Sequence, residues 1–90
     1  MLLTVDLERL ELRRGERLLD AGCGEGRHCF GALDRGVHVV GLDLDLSGLR
    51  AHRERLAIRG KENGCQAIFV QGNTFHLPFP DASFDKVICS

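Results

Sequence analysis

The residues best suited to chemistry lie in the stretch Leu18-Leu19-Asp20-Ala21-Gly22-Cys23-Gly24-Glu25-Gly26-Arg27. Glycines at 22, 24 and 26 allow the backbone to turn sharply and let a ligand lie close against it. A helix that starts after such a bend points unpaired N–H groups and the positive end of its dipole at that ligand. Many tight turns contain two glycines, so the bend alone also fits a purely structural turn. Its spacing narrows the chemistry. A dinucleotide fingerprint reads G-x-G-x-x-G and seats a pyrophosphate on the helix; here the pattern is G-x-G-x-G, with Asp20 two positions ahead of the first glycine. A carboxylate in that place discourages a pyrophosphate and favours a cationic group. Asp43 stands 21 positions after Gly22, where an acidic side chain can accept from both hydroxyls of a ribose. The alternative for Asp43 is a helix-capping carboxylate, a role for which Asp45 is better placed.

Other reactive side chains offer less. Cys23 sits at a position suited to a nucleophile, but no base is near it in sequence, and a small side chain suits the bend. His28 either meets an anionic group of the ligand or faces solvent. Phe79 and Phe84 can stack on a base, but the better reading is that they anchor a proline-rich loop to the core. Arg50, Arg53, Arg55, Arg59 and Lys61 spread around one helix instead of forming a stripe. With Arg50 and Glu54 four apart and able to pair, they read as a solvated outer face and not as a nucleic-acid patch. Cys23, Cys29, Cys65 and Cys89 form no C-x-x-C pair and no Cys/His group has zinc-ligand spacing, so they are expected to be reduced packing residues, with no metal site.

These residues need elements to hold them, and apolar periodicity supplies alternating strands and helices. Val5 to Leu12 reads as a helical turn or two, and Arg14-Gly15 as a turn. Arg17–Ala21 is the first strand, followed by a helix from Glu25 to Arg35 with Gly36 placed as its C-terminal cap. Val37–Asp43 is nearly continuous in its hydrophobicity, as befits a strand buried on both faces. A helix capped by Asp45 or Ser47 then runs to Glu62 and stops at Asn63-Gly64. Gln66–Val70 is a third strand, Leu77-Pro78-Phe79-Pro80-Asp81 cannot be regular helix, and Ser83–Ser90 starts a fourth strand. Strands alternating with helices imply a parallel α/β sheet, whose ligands bind beyond the carboxyl ends of the strands. Asp20 with the glycines, Asp43, Asn73 and Ser90 all fall at those ends.

Composition excludes several classes. With 90 residues, 43% apolar and 28% charged, the chain reads as one small soluble domain. A net charge of −1 gives no general attraction to nucleic acid or anionic lipid. No apolar run approaches the roughly 20 residues of a membrane span. The start, Met1-Leu2-Leu3-Thr4-Val5-Asp6, lacks the basic and apolar stretches of a secretory signal, so a cytoplasmic protein is expected.

The bend, Gly41-Leu42-Asp43-Leu44-Asp45 and Leu77-Pro78-Phe79-Pro80-Asp81-Ala82-Ser83-Phe84-Asp85 resemble three successive motifs of class I S-adenosylmethionine-dependent methyltransferases. The likeness is nearest to the group that includes ubiquinone and menaquinone biosynthesis methyltransferases (methyltransferase type 11), and it covers Arg14 to Ser90. It implies a Rossmann-like parallel sheet flanked by helices, with strand order 3-2-1-4 and the family's later strands missing. Residues 1–90 would then be the N-terminal, cofactor-binding part of one domain, truncated after the fourth strand.

The same resemblance implies S-adenosyl-L-methionine as cofactor and methyl transfer to an unidentified small-molecule acceptor. Gly22 and Gly24 would line the methionine moiety and Asp20 would reach its amino group directly or through water. Asp43 would hold the ribose hydroxyls and Leu44 would pack on the adenine. Ala21, Cys23, Thr74 and Ser90 complete the implied cofactor-binding set. Asn73 departs from the aspartate usual in the family; its amide oxygen accepts without charge, so weaker adenine recognition is expected. No general base is identifiable. Acceptor residues in the family come largely from beyond the fourth strand or from N-terminal additions, so the chain alone is expected to be inactive. With the Val87-Ile88-Cys89 edge open to other chains, the chain alone is also expected to be poorly stable or to self-associate. The alternatives are an NAD-dependent oxidoreductase domain, which would need the G-x-G-x-x-G spacing, and a non-catalytic fragment that keeps the fold.

Overall fold

In the computed structural model, residues 7–24, 26–45, 47–73, 79–80 and 82–89 are described. The chain order is β1 (Arg17–Ala21), α1 (Arg27–Asp34), β2 (His38–Asp43), α2 (Ser47–Arg50), α3 (Arg53–Glu62), β3 (Ala67–Gln71) and β4 (Lys86–Cys89). The four strands form one parallel sheet in the order β3-β2-β1-β4, as the resemblance implied. Arg17 to Ala21 pairs with His38 to Leu42, and Asp43 reaches Gln71 at the end of β3. Ala21 pairs with Cys89. This register brings the carboxyl ends of the strands to a common edge.

The helices share one face of the sheet. Leu18, Val39, Phe69 and Ile88 project from the four strands into a core with Cys29, Ala32 and Leu33 of α1, Leu49 of α2 and Leu56 of α3. Fully burying a leucine contributes about 1.5–3 kcal/mol, so Leu18, Leu33, Leu49 and Leu56 carry much of the attachment between the layers. The alternation of side chains in a strand places Leu19, Val40, Ile68 and Val87 in one row across the opposite face. Phe79 and Phe84 meet edge to face, with centroids 5.1 Å apart, and border a cavity shared with Leu19 and Val87. Phe79 and Pro80 lie outside helix and strand, as their sequence requires; Leu77, Pro78 and Asp81 fall outside the described residues.

Four local expectations are corrected. The expected helix from Ser47 to Glu62 is broken into α2 and α3 at Ala51-His52. His52, the N-cap of α3, has φ widened to −118° within the right-handed region, and its ring meets Phe30 of α1 at 6.3 Å, so packing between helices overrides local periodicity. The break falls between Arg50 and Glu54 and removes the regular spacing on which their pairing depended. α1 is shorter than expected at both ends: Gly26 turns left-handed (φ 85°) as its N-cap, and Arg35 is its C-cap at φ −90°. Gly36 follows it at φ 76° and donates to the Leu33 carbonyl, which is the expected C-terminal stop. The described part of the lead-in, from Leu7 to Glu11, is turn and not helix, since Glu11 has φ 51° and cannot continue a right-handed coil. β4 starts only at Lys86 because Asp85 is engaged with β1: its Oδ2 accepts from Arg17 N–H at 2.8 Å, and its own N–H donates to the Arg17 carbonyl.

Candidate functional site

At the carboxyl edge of the sheet the glycine bend folds over the end of β2. Gly22, Gly24 and Gly26 all have positive φ (81°, 53° and 85°), which explains why this turn is written in glycine. The Gly22 and Cys23 N–H groups both donate to the Leu42 carbonyl, at 2.6 and 3.1 Å. Gly24 N–H donates to Asp43 Oδ2 at 2.9 Å. A side chain on Gly24 would meet nothing within 4 Å, so this part of the bend faces open space. On Gly26 a Cβ would lie 3.0 Å from Leu56 Cδ1 and 3.2 Å from Leu49 Cδ2. The third glycine therefore serves close packing of the bend on α2 and α3.

Asp43 does more than terminate β2. Its Oδ1 accepts from Asp45 N–H at 3.0 Å while its Oδ2 holds Gly24. Asp45 in turn accepts from Ser47 N–H at 2.8 Å, so Asp45 is the capping acid of α2 and its carboxyl is held below the usual range by that bond. The capping role thus falls to Asp45, and a carboxylate oxygen with two acceptor directions leaves Asp43 able to accept further donors. The Asp43 carbonyl accepts from Gly72 N–H at 3.0 Å, tying the end of β3 to the same point.

Asp20 is fully buried at the end of β1. It pairs in register with Gly41, two positions before Asp43, so the strand period puts both acids on the helix-bearing face. Cys23 is buried close enough to both for their charges to act on it. Burial, reinforced by the charges of Asp20 and Asp43, pushes its thiol up to about 12, which suits an inert packing residue and not a nucleophile. Ala21 is buried at the strand end, and Leu44 is 64% exposed beside Asp43, an apolar side chain standing free at the site. Asn73 is exposed two residues beyond β3 and on the same edge. Thr74 and Ser90 lie outside the described residues. His28 is buried, and its Nε2 has no hydrogen-bond partner; the solvent-facing expectation is corrected, because its place in the first turn of α1 faces inward.

Three contributors went unnoticed in the sequence. Gln71 Nε2 donates to the Leu44 carbonyl at 2.7 Å and fixes the segment that presents Leu44; its place opposite Asp43 was the only signal. Gly41 admits the bend, since a Cβ there would lie 3.0 Å from Cys23 Sγ and 2.7 Å from Phe69 Cδ1. A glycine inside a strand is a known mark of such close approach. Cys29 Sγ lies 3.6 Å from Asp20 Oδ2, a contact that no spacing rule announces.

Among the described residues no group of His, Cys, Asp and Glu could hold a metal ion, and no helix is long and apolar enough to cross a membrane. The site instead offers a bend open to close approach, an acid beneath it, an acid beside it and an exposed apolar side chain.

Residues 18–90 match a family described as a methyltransferase domain. The chain is 40% identical over 76 residues to a fatty-acid O-methyltransferase of Mycolicibacterium smegmatis, covering 82% of this chain and 26% of that protein. It is 36% identical over 84 residues to a demethylmenaquinone methyltransferase of Beutenbergia cavernae, covering 93% and 32%. Its fold superposes with a TM-score of 0.74 on a SAM-dependent methyltransferase structure from Methanosarcina mazei, at 28% identity, over 96% of this chain and 42% of the other. The chain thus spans between a quarter and a third of the length of these two curated relatives.

Proposed function

The chain belongs to the class I S-adenosylmethionine-dependent methyltransferases, and from that premise we propose that it supplies the cofactor-binding half of an enzyme that methylates a small molecule. One observation carries the reading: the Gly24 N–H donates to Asp43 Oδ2, so the open bend and the strand-end acid form one continuous surface. A nucleoside lying along it meets Asp43 at its ribose hydroxyls, Leu44 at its base and the glycines at its amino-acid tail. The residues present fit S-adenosylmethionine. A side chain on Gly24 would meet no atom within 4 Å, so a ligand has room there, and the two carboxylates offer acceptors for an ammonium and for ribose hydroxyls.

When bound, the cofactor supplies an electrophilic methyl on a sulfonium. The chain's own part is recognition and alignment. Asp20, buried under the bend, places a negative charge where water screens it little, and so attracts the ammonium of a methionine tail. Asp43 accepts from the ribose hydroxyls, and Gln71 keeps the Leu44 segment in place for the adenine. Ala21, Gly22 and Cys23 shape the floor and Asn73 extends the contact along the same edge; Thr74 and Ser90 are assigned to the set by the family likeness alone. Holding donor and acceptor in line can supply several kcal/mol of the barrier, about 7–11 kcal/mol in the best-oriented cases. The relatives named for a fatty acid and for demethylmenaquinone support a small-molecule acceptor. The four free cysteines accord with a reducing, cytoplasmic setting.

This reading assigns cofactor binding to these residues and acceptor choice to the rest of a longer enzyme, in keeping with the fraction of its relatives that the chain spans. Titration calorimetry tests it. S-adenosylhomocysteine is expected to bind the 90-residue chain and NAD is not; without an acceptor half, no methyl transfer is expected. Heat with NAD and none with S-adenosylhomocysteine would overturn the proposal in favour of an oxidoreductase domain.

A further inference from the structure

We propose that Cys29 is a positioning residue for cofactor recognition, its thiol donating to Asp20 Oδ2 and holding that buried carboxylate beneath the glycine bend. The inference rests on the cofactor reading above and adds a residue of α1 to it. Cys29 Sγ and Asp20 Oδ2 are 3.6 Å apart, a normal distance for a sulfur donor, and both residues have no exposed surface. A buried carboxylate needs donors, because its charge has been withdrawn from water. Burial and the neighbouring Asp20 charge push the Cys29 thiol well above its ordinary range, so its proton stays on sulfur and is there to be donated.

The placement is specific. Cys29 is the third residue of α1, the helix that starts directly after the bend, while Asp20 is the penultimate residue of the strand that leads into it. The contact therefore closes the strand–bend–helix unit from within, across nine residues. A shift of α1 against β1 would move the acid relative to Gly22 and Gly24. An apolar residue of similar size would fill the same core volume but leave the carboxylate with one donor fewer. Serine would keep the donor. That difference separates a positioning role from simple packing.

Three chains decide the matter: wild type, Cys29→Ala and Cys29→Ser, each titrated with S-adenosylhomocysteine and each checked by urea unfolding to be folded at the assay temperature. A net hydrogen bond worth about 1 kcal/mol corresponds to about a fivefold loss of affinity. Cys29→Ala is expected to bind about fivefold more weakly, and Cys29→Ser to stay within about twofold of wild type. The infrared S–H stretch gives a second readout that needs no ligand. The Cys29 band, identified by its loss in Cys29→Ala, is expected at lowered frequency in wild type and to move back toward the unbonded value in Asp20→Asn. Equal binding by wild type and Cys29→Ala, equal weakening in Cys29→Ser, or an unbonded S–H band in wild type overturns the positioning role alone. Failure of wild type itself to bind S-adenosylhomocysteine overturns the cofactor reading, and the positioning role with it.

Discussion

Gly24 and Asp43, from different crossovers of the sheet, are joined by a 2.9 Å hydrogen bond from the glycine N–H to the acid's Oδ2. The bond holds the open face of the bend against the carboxyl end of β2. It also means that Asp43 has two tasks, one toward the backbone and one toward a ribose.

Replacing Asp43 should therefore cost both. Asp43→Ala is expected to weaken S-adenosylhomocysteine binding by about 10- to 100-fold, from the loss of charge-assisted hydrogen bonds worth about 1.5–3 kcal/mol. Asp43→Asn keeps one acceptor oxygen and is expected to fall between alanine and wild type. Calorimetric affinities that do not change would remove Asp43 from the site.

The glycines of the bend should respond unequally to alanine. Gly24→Ala meets open space and bears only the left-handed backbone penalty of about 1–2 kcal/mol. Gly26→Ala bears that penalty and also crowds Leu49 and Leu56, which adds about 1–3 kcal/mol of overpacking. Urea denaturation of the two variants should show Gly26→Ala as clearly the less stable; the reverse order would contradict the packing described here.

Asn73→Asp would supply the charged acceptor that the family resemblance implies at this position. It is expected to tighten S-adenosylhomocysteine binding about fivefold, the equivalent of about 1 kcal/mol. An affinity that stays the same or falls would show that Asn73 does not address the adenine.

Acid should loosen the β1–β4 seam. Asp85 is held below the usual carboxylate range chiefly by the Arg17 N–H bond, and Glu16 likewise by the Arg13 N–H, with help from Lys86. Groups whose folded pKa is depressed contribute stability that is present above their unfolded values, about 3.9 for Asp and 4.3 for Glu. That stability is lost as pH falls below those values and through the lower folded ones. Unfolding midpoints measured from pH 6 downward should drop most steeply below about pH 4, and Asp85→Asn should flatten that drop. An Asp85→Asn chain with the wild-type profile would show that the seam does not depend on the charge.

Thiol accessibility gives a direct check on the core. Cys89 is exposed and Cys65 half-buried, while Cys23 and Cys29 are buried with raised thiol pKa. Labelling with a disulfide reagent should proceed in the order Cys89, Cys65, then Cys23 and Cys29 only on unfolding. Early reaction of Cys23 would contradict its burial near Asp20 and Asp43.

Much of this was legible in the linear pattern. Apolar runs marked four strands, and the G-x-G-x-G spacing with acids at Asp20 and Asp43 pointed to a nucleoside with a cationic group. These features are local: a left-handed glycine or a buried strand leaves its mark within a few residues. The likeness of the three motifs carried the strand order, which no periodicity contains.

The tertiary fold decided what depends on contacts between distant segments. Whether Ser47–Glu62 is one helix or two turned on His52 meeting Phe30, a neighbour 22 positions away in sequence. His28 was drawn inward by the packing of α1, and one Asp43 oxygen was claimed by the N–H of Gly24 in the bend. Cys29 found Asp20, and Gln71 found the Leu44 carbonyl, through strand register and helix docking. Composition and spacing choose which residues can do chemistry; which of them share a hydrogen bond is set by the distances that close only when the layers pack.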